Sequence, residues 1–249
     1  PLEDDAGDQI EEFAAKDGVE GIKFYPARYQ NGNDLSLQLT EDAVWPLLQR
    51  VADSEVDTLA IHKFIPFATA PVRYFKPDDI EDAANSFPDI NFEIIHAGFS
   101  FVEETVLAMA SHDNVYANLE NTACLVNTRP RKFAKALGEM LYWAGPDRIV
   151  YASGATALHP QPPIEGIQNF EMPEDLIEDY DYPKVTQDMK EKILGKNALR
   201  LLDKDPEQIK KDIKGDKWDQ LRQEREESGD YPAEPWSTYE AGSALASDD

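Results

Sequence analysis

The chain alternates short β-rich runs with longer stretches of helical period. Five runs have a largely continuous apolar character: 21–25 (GIKFY), 57–62 (DTLAIH), 91–97 (NFEIIHA), 114–119 (NVYANL) and 148–152 (RIVYA). Continuous apolar runs are typical of parallel strands that are covered on both faces. The runs recur at intervals close to the ~30 residues of a βα unit, which predicts adjacent parallel strands in chain order.

Helical spacing separates several of these runs. Apolar residues recur three and four positions apart around Leu48, Ile80, Leu137 and Ile193. Pro46 suits the first turn of its helix, Asp78 and Asp79 suit the positive end of the next helix dipole, and Thr186 can cap the last helix. This alternation predicts an α/β fold on a parallel sheet, either open or closed into a barrel.

The sequence predicts two regions of different character. Residues 1–202 carry the βα pattern, and a helix from Ile10 leads into the first run. Residues 203–249 form an acidic C-terminal extension, with a weak apolar stripe over 206–227 and a Ser-, Pro- and acid-rich end over 228–249. We expect the extension to be helical and then largely disordered.

Charge excludes several classes of partner. The chain has 49 acidic and 24 basic residues, a net charge of −25. This balance argues against binding to nucleic acid or to anionic lipid, and no apolar run has the length of a membrane span. The single cysteine, Cys124, excludes an internal disulfide and suits a reducing cytoplasm. We therefore expect a cytoplasmic protein with a small-molecule substrate, and the sequence leaves a homo-oligomer open.

Candidate chemistry lies where the predicted strands end. The polar residues at these ends are His62, Lys63, His96, Glu120 and Ser153; Gly154 follows Ser153, and His159 lies six residues after Ser153. The active site of a βα barrel lies at the carboxyl ends of its strands, so two histidines on adjacent ends can converge on one metal ion. The alternative is that these histidines only form hydrogen bonds. Arg28 and Lys63 are candidates for binding an anionic substrate.

Three motifs resemble one known family. The runs 89–98 (DINFEIIHAG), 147–154 (DRIVYASG) and 192–201 (KILGKNALRL) look like those of the amidohydrolase-related metal-dependent hydrolases. The branch in question includes the aminocarboxymuconate-semialdehyde and resorcylate decarboxylases. The resemblance runs from about Ile10 to Leu202 and implies a partial or distorted TIM (βα) barrel with parallel strands, similar to strands 4 to 8 of that barrel. Strands 1 to 3 would then lie upstream of Pro1.

The resemblance also implies a metal site with altered ligands. His62 and His96 match the family's histidines at strands five and six, and the resemblance assigns them to a divalent metal, zinc first and manganese second. Gly154 stands where the family has an acid, and the family's His-x-His pair has no counterpart here. His159 or Glu120 would have to replace the lost acid, and the incomplete set leaves open that the chain holds no metal.

Two classes of function follow from this resemblance. The first is a metal-dependent hydrolase or nonoxidative decarboxylase that acts on a small carboxylated or cyclic substrate. The second is a non-catalytic, degenerate or truncated barrel that serves as a subunit or binding module. The two histidines favour the first class, and the loss of the acid at Gly154 favours the second.

The first prediction concerns salt. The acids are spread along the whole chain, which suggests a protein from a high-salt organism; an ordinary acidic protein is the alternative. The Debye length shrinks from about 10 Å at 0.1 M to about 3 Å at 1 M salt, so screening should relieve repulsion between surface carboxylates. We expect the thermal midpoint to rise steeply with KCl. A midpoint that stays flat or falls up to molar KCl would contradict the high-salt interpretation.

Overall fold

Five parallel strands form the central sheet. The computed structural model describes residues 5–30, 33–65, 70–155 and 159–228. Its strands are β1 (Ile22–Phe24), β2 (Tyr29–Gln30), β3 (Asn33–Asp34), β4 (Thr58–His62), β5 (Asn91–Ile95), β6 (Val115–Asn118) and β7 (Ile149–Val150). The sheet order is β1-β4-β5-β6-β7 with every pair parallel, whereas β2 and β3 form a separate antiparallel pair. The predicted chain order is confirmed, and the sheet is not closed into a barrel.

Helices connect the strands and continue beyond the last of them. They are α1 (Ala6–Ala14), α2 (Trp45–Ala52), α3 (Asp78–Ser86), α4 (Val102–Ser111), α5 (Leu125–Thr128), α6 (Pro130–Ala144), α7 (Gln161–Gln168), α8 (Glu174–Tyr180), α9 (Gln187–Glu191), α10 (Asn197–Leu201), α11 (Pro206–Ile213) and α12 (Lys217–Ser228). Short 3₁₀ turns occupy Val72–Phe75, Thr122–Cys124 and Pro146–Arg148, and a π-helical segment, Lys192–Lys196, joins α9 to α10. Within the described ranges, no helix has the length and apolar character needed to cross a membrane.

The two faces of the sheet differ in character. Alternate strand residues such as Leu59, Ile61 and Phe92 are buried in one core together with the helices. The residues between them lie on the opposite face, where Lys23, Ala60 and Glu93 are register partners across β1, β4 and β5. Successive side chains of a strand point to opposite faces. The helix-covered face is therefore apolar, and the other face, which we call the inner face, carries charged groups.

Each strand is shorter than the run that predicts it. The last is the shortest, because the backbone N–H of Tyr151 donates to the carbonyl oxygen of Ile193 at 2.9 Å rather than to another strand. The π-helical segment is thus tied directly to the end of β7. Thr186 caps α9 as expected, since its side chain accepts a hydrogen bond from the backbone N–H of Met189.

Several elements lie outside the predicted set. These are α4, α5, α7, α8 and the β2–β3 pair. In α4 the apolar residues do not form one narrow stripe, because Val106 and Met109 are buried whereas Leu107 is half exposed. Helices α11 and α12 form in the predicted extension and contain no buried residue. Of the segment 228–249 that we expect to be disordered, 229–249 lies outside the described residues.

Asn197 generates a prediction about stability. Its side chain is fully buried, and its Nδ2 donates to the carbonyl oxygens of Pro146 at 2.7 Å and Ile149 at 2.8 Å. Because a buried acceptor that loses its partner costs about 1–3 kcal/mol, Asn197→Ala should lower the free energy of unfolding by about 2–4 kcal/mol in urea titration.

The matched control is Asn169→Ala. The Asn169 amide also donates to a carbonyl oxygen, that of Glu165, but it is exposed. Its loss should change the free energy of unfolding by less than about 0.5 kcal/mol. Equal losses in the two variants would show that Asn197 does not tie α10 to the end of the sheet.

Candidate metal centre

Two histidines meet at the carboxyl ends of β4 and β5. His62 is the last residue of β4, and its register partner across the sheet is Ile95 rather than His96. Strict alternation would direct His96 away from the face that His62 occupies. His96 instead adopts a left-handed backbone with φ of 65°, and its ring lies edge-on to that of His62 with centroids 4.6 Å apart. A left-handed conformation costs about 1–2 kcal/mol for a non-glycine residue, and such strain is concentrated at functional sites.

Backbone carbonyls fix the tautomer of each ring. The Nε2–H of His62 donates to the carbonyl oxygen of Ile65 at 3.0 Å, and the Nδ1–H of His96 donates to that of Glu120 at 2.8 Å. A carbonyl oxygen only accepts, so we assign the proton of each neutral imidazole to these nitrogens. The other two nitrogens, Nδ1 of His62 and Nε2 of His96, then both carry lone pairs. They face each other at 3.2 Å.

Burial keeps both rings neutral. Desolvation lowers the pKa of His62 to about 4, and desolvation also lowers the pKa of His96. The carbonyl of Ile65 acts in the opposite direction on His62 and does not outweigh burial. Neutral imidazole is the form that ligates metals. The pair is therefore in its ligand form at neutral pH.

The spacing of the two lone-pair nitrogens fits a shared cation. Ligands bound tetrahedrally at about 2.0–2.1 Å from one ion lie roughly 3.3 Å apart. The observed separation is 3.2 Å. In the described part of the chain, no group of three or more His, Cys, Asp and Glu side chains is placed to hold a metal ion. The pair thus supplies two donors suited to a divalent metal.

A charged pair and an aromatic ring adjoin the histidines on the inner face. Lys23 Nζ lies 2.9 Å from Glu120 Oε2, and the Tyr25 ring stacks on His62 with centroids 5.0 Å apart. Burial pulls the pKa of Lys23 down, but hydrogen bonds to Glu120 and Tyr25 outweigh it, so the pKa is raised and Lys23 keeps its positive charge. Sequence reasoning missed Lys23 and Tyr25. The available signal was the alternation of apolar and polar residues in GIKFY, which places both residues on the face opposite Phe24.

A second carboxylate, Glu93, lies on the same face in the row of Lys23, one row below His62. Glu93 Oε2 accepts a hydrogen bond from Asn118 Nδ2 at 2.5 Å. Burial raises the pKa of Glu93, and the hydrogen bond from Asn118 opposes that shift. Sequence reasoning treated both positions as ordinary strand residues.

The two predicted substrate-binding residues differ in exposure: Lys63 is buried and Arg28 is exposed. Lys63 is fully buried, and its Nζ lies 2.7 Å from Asp79 Oδ1, so it does not reach the inner face and the expectation that it orients a substrate is corrected. The cause is alternation, because the residue after His62 points toward the helices. Arg28 is exposed in the loop after β1, at the same end of the sheet as His62.

In the described ranges, Glu120 and His159, the predicted replacements for the lost acid, are not placed to bind a metal ion together with His62 and His96. His159 is exposed, and its Nδ1 accepts a hydrogen bond from the backbone N–H of Gln161. Glu120 lies beside the histidines: its backbone carbonyl accepts a hydrogen bond from His96, and its carboxylate pairs with Lys23.

Position 154 has little room for a side chain. Gly154 has φ of 62°, and a Cβ added there would lie 2.5 Å from Oδ1 of Asn121. Asn121 is itself close to the pair, with its Nδ2 3.4 Å from His96 Nδ1. Cys124 is half-buried, and its Sγ donates to the carbonyl oxygen of Asn121.

Comparison with known proteins agrees with this architecture. The amidohydrolase family model matches residues 1–204, so the chain belongs to the amidohydrolase family. No protein of curated function matches the sequence. Members of this family are metal-dependent, and one structural neighbour contains manganese.

Solved structures share the fold at low sequence identity. The 2,6-dihydroxybenzoate decarboxylase from Rhizobium is 12% identical with a TM-score of 0.58, over 80% of this chain and 67% of that one. A TIM-barrel protein from Bordetella bronchiseptica is 19% identical with a TM-score of 0.51, over 75% and 58%. A dihydroxybenzoic acid decarboxylase from Polaromonas, solved with manganese and 2-nitroresorcinol, is 13% identical with a TM-score of 0.51, over 80% and 65%. The chain thus has the fold of part of a TIM barrel and spans about two thirds or less of these proteins.

The lowered pKa of His62 predicts a pH-dependent stability. An unfolded histidine has a pKa near 6.5, whereas folded His62 has about 4, so the unfolded chain binds more protons between these values. Because of His62, the free energy of unfolding should therefore fall by on the order of 3 kcal/mol as the pH falls from 6.5 to 4. We expect His62→Asn to flatten this dependence in urea unfolding with chelator present. His112→Asn, at the other end of the sheet, is the matched histidine replacement measured alongside; equal slopes in wild type and His62→Asn would refute the effect.

Proposed function

We propose that His62 and His96 together hold one divalent metal ion, and that this site acts on a small carboxylated or cyclic substrate as a nonoxidative decarboxylase or a hydrolase. One observation carries the proposal. Two neutral imidazoles on neighbouring strands bring their lone-pair nitrogens, Nδ1 of His62 and Nε2 of His96, to 3.2 Å from each other. Zinc and manganese both accept imidazole nitrogen as a ligand, with zinc the more strongly bound.

The inner face supports an anionic, planar substrate. Lys23 brings an ammonium group beside the histidines, and the aromatic ring of Tyr25 stacks on His62. Two of the structural neighbours are decarboxylases of hydroxylated benzoic acids. A substrate carboxylate that binds Lys23 would displace the Glu120 carboxylate, which is now paired with that ammonium group. This exchange favours decarboxylation over hydrolysis in our proposal.

Glu120 is the proton-carrying group of this proposal. Decarboxylation breaks the bond between ring carbon and carboxyl carbon, releases CO₂ and leaves an electron pair on the ring carbon that takes up a proton. A bound divalent ion supplies positive charge that stabilises developing negative charge on substrate oxygens. Once displaced from Lys23, Glu120 would take up a proton from solvent water and deliver it to the ring carbon, whereas in a hydrolase it would accept a proton from the attacking water.

A non-catalytic role is the second candidate. It is favoured by the absence of a third metal donor in the described ranges and by the crowding at Gly154. A catalytic zinc normally has three protein ligands. With two, we expect weak metal binding and slow turnover, and a chain that binds metal and ligand without turnover would be a binding module.

The test is metal titration of histidine variants. Zinc and manganese should each bind wild type at about one ion per chain by calorimetry. His62→Ala and His96→Ala should weaken binding by at least ~10-fold, because each removes a donor. The matched controls, His112→Ala and His159→Ala, should leave affinity unchanged. Equal affinities in all four variants would overturn the metal site.

Turnover then separates the two candidates. CO₂ release from 2,6-dihydroxybenzoate and hydrolysis of cyclic amides should be followed with metal present, in low salt and in molar KCl. Decarboxylation that Lys23→Met abolishes while metal affinity stays unchanged would support the catalytic proposal. Metal binding without turnover on either substrate class would favour the binding module.

A further inference from the structure

A buried ion pair lies directly behind the histidine site. Lys63 follows His62 in the chain, and both Lys63 and Asp79 are almost completely buried. Lys63 Nζ lies 2.7 Å from Asp79 Oδ1 and donates to the carbonyl oxygen of Tyr74 at 3.2 Å. Asp79 Oδ2 accepts a hydrogen bond from the backbone N–H of Leu39 at 2.9 Å. Four segments of the chain therefore meet at this one pair.

Stability alone does not account for such a pair. Removing two charges from water is expensive, and apolar residues of similar volume often serve a core equally well or better. The residues around the pair already form an apolar core that contains Ile80 and Leu39. What an ion pair adds is fixed geometry, because a charge-assisted hydrogen bond is short and directional.

The geometry it fixes includes the turn that binds His62. The backbone N–H of Ile65 donates to the carbonyl oxygen of Lys63 at 2.8 Å, and that of Phe64 donates to the carbonyl oxygen of Phe75 at 2.9 Å. Phe64 adopts a left-handed backbone with φ of 66°. The Ile65 carbonyl at the end of this turn accepts the Nε2–H of His62. The ion pair thus anchors Lys63, the first residue of a turn whose last residue, Ile65, hydrogen-bonds back to His62.

We propose that the Lys63–Asp79 pair is a positioning device for His62. It holds residues 63–65 so that the Ile65 carbonyl keeps the proton of His62 on Nε2 and leaves the lone pair on Nδ1, toward His96. The link to metal affinity rests on the proposed function, whereas the tautomer itself is a property of the metal-free chain. Lys63 and Asp79 touch neither His62 nitrogen and act only through the turn.

The test replaces both charges at once. In Lys63→Met/Asp79→Asn, the new asparagine can still accept from Leu39 N–H, and no lone charge is left buried. Nitrogen-15 NMR of the imidazoles in the metal-free, full chain reports the His62 tautomer, and titration with manganese alone reports affinity. We expect a mixed tautomer and a 10- to 100-fold loss of manganese affinity, as is usual when an outer partner of a metal-ligating histidine is removed. An unchanged tautomer or an unchanged affinity in the folded variant overturns the proposal.

Two further variants keep the test decisive. Arg131→Met/Asp175→Asn removes an exposed ion pair of the same charge types and should change neither readout. If the Lys63/Asp79 double variant fails to fold, Lys63→Gln/Asp79→Asn, which also leaves no lone charge buried, is measured in the same way. A shift of its tautomer and affinity in the predicted direction supports the proposal, and unchanged values overturn it. If wild type binds no metal, the proposed function fails, and the tautomer readout still decides whether the pair positions His62.

Discussion

Two neutral imidazoles that present lone pairs to each other at 3.2 Å repel unless a cation or a proton lies between them, and the site is built around that contact. Three features enforce it: the pairing of β4 with β5, the left-handed backbone of His96, and the carbonyls that hold both tautomers. Histidines that served only as hydrogen-bonding groups could relieve the contact if one ring changed tautomer. Here that change would cost the hydrogen bond to Ile65 or to Glu120. The arrangement therefore favours positive charge between the rings, and the lowered pKa of both histidines disfavours a proton as its source.

The inner face of the sheet sets what else can happen near that charge. Parallel sheets are usually covered on both faces, and an inner face made for a dry interior would be apolar. This one instead carries Lys23 paired with Glu120 and Glu93 bonded to Asn118. Partly exposed ion pairs contribute little to stability, typically below about 1 kcal/mol. The placement of the Lys23–Glu120 pair next to the histidines is better explained by binding of polar groups than by folding. Under the proposed function, the same face holds the substrate.

Much of the fold followed from the sequence because its strands are nearly continuous apolar runs at βα spacing, which leaves few topologies. Two strand-end histidines on adjacent runs then had to lie at one edge. The contact between their rings did not follow, because it depends on a left-handed residue at His96 that no turn signal marks. Lys63 shows the converse limit: its residue type suggested a substrate contact, whereas alternation after His62 buries it against Asp79. The sequence indicated only that Asp79 suits the first turn of a helix, as any acid would. The tertiary structure shows that it is buried and paired with Lys63.

Charge balance links metal and substrate in the proposed site. The two histidines are neutral, and the nearest carboxylate, Glu120, is already balanced by Lys23. Gly154 contributes no charge, and an acid there would collide with Asn121 and so disturb the side of His96 that Asn121 contacts. A divalent ion held by this pair would therefore keep most of its positive charge until an anion arrives. The chain as a whole carries a charge of −25, so its overall field attracts cations and repels carboxylates. A bound ion would thus favour an anionic substrate at the site against this field, and because coupling is reciprocal, the substrate would tighten the binding of an ion that two ligands hold weakly.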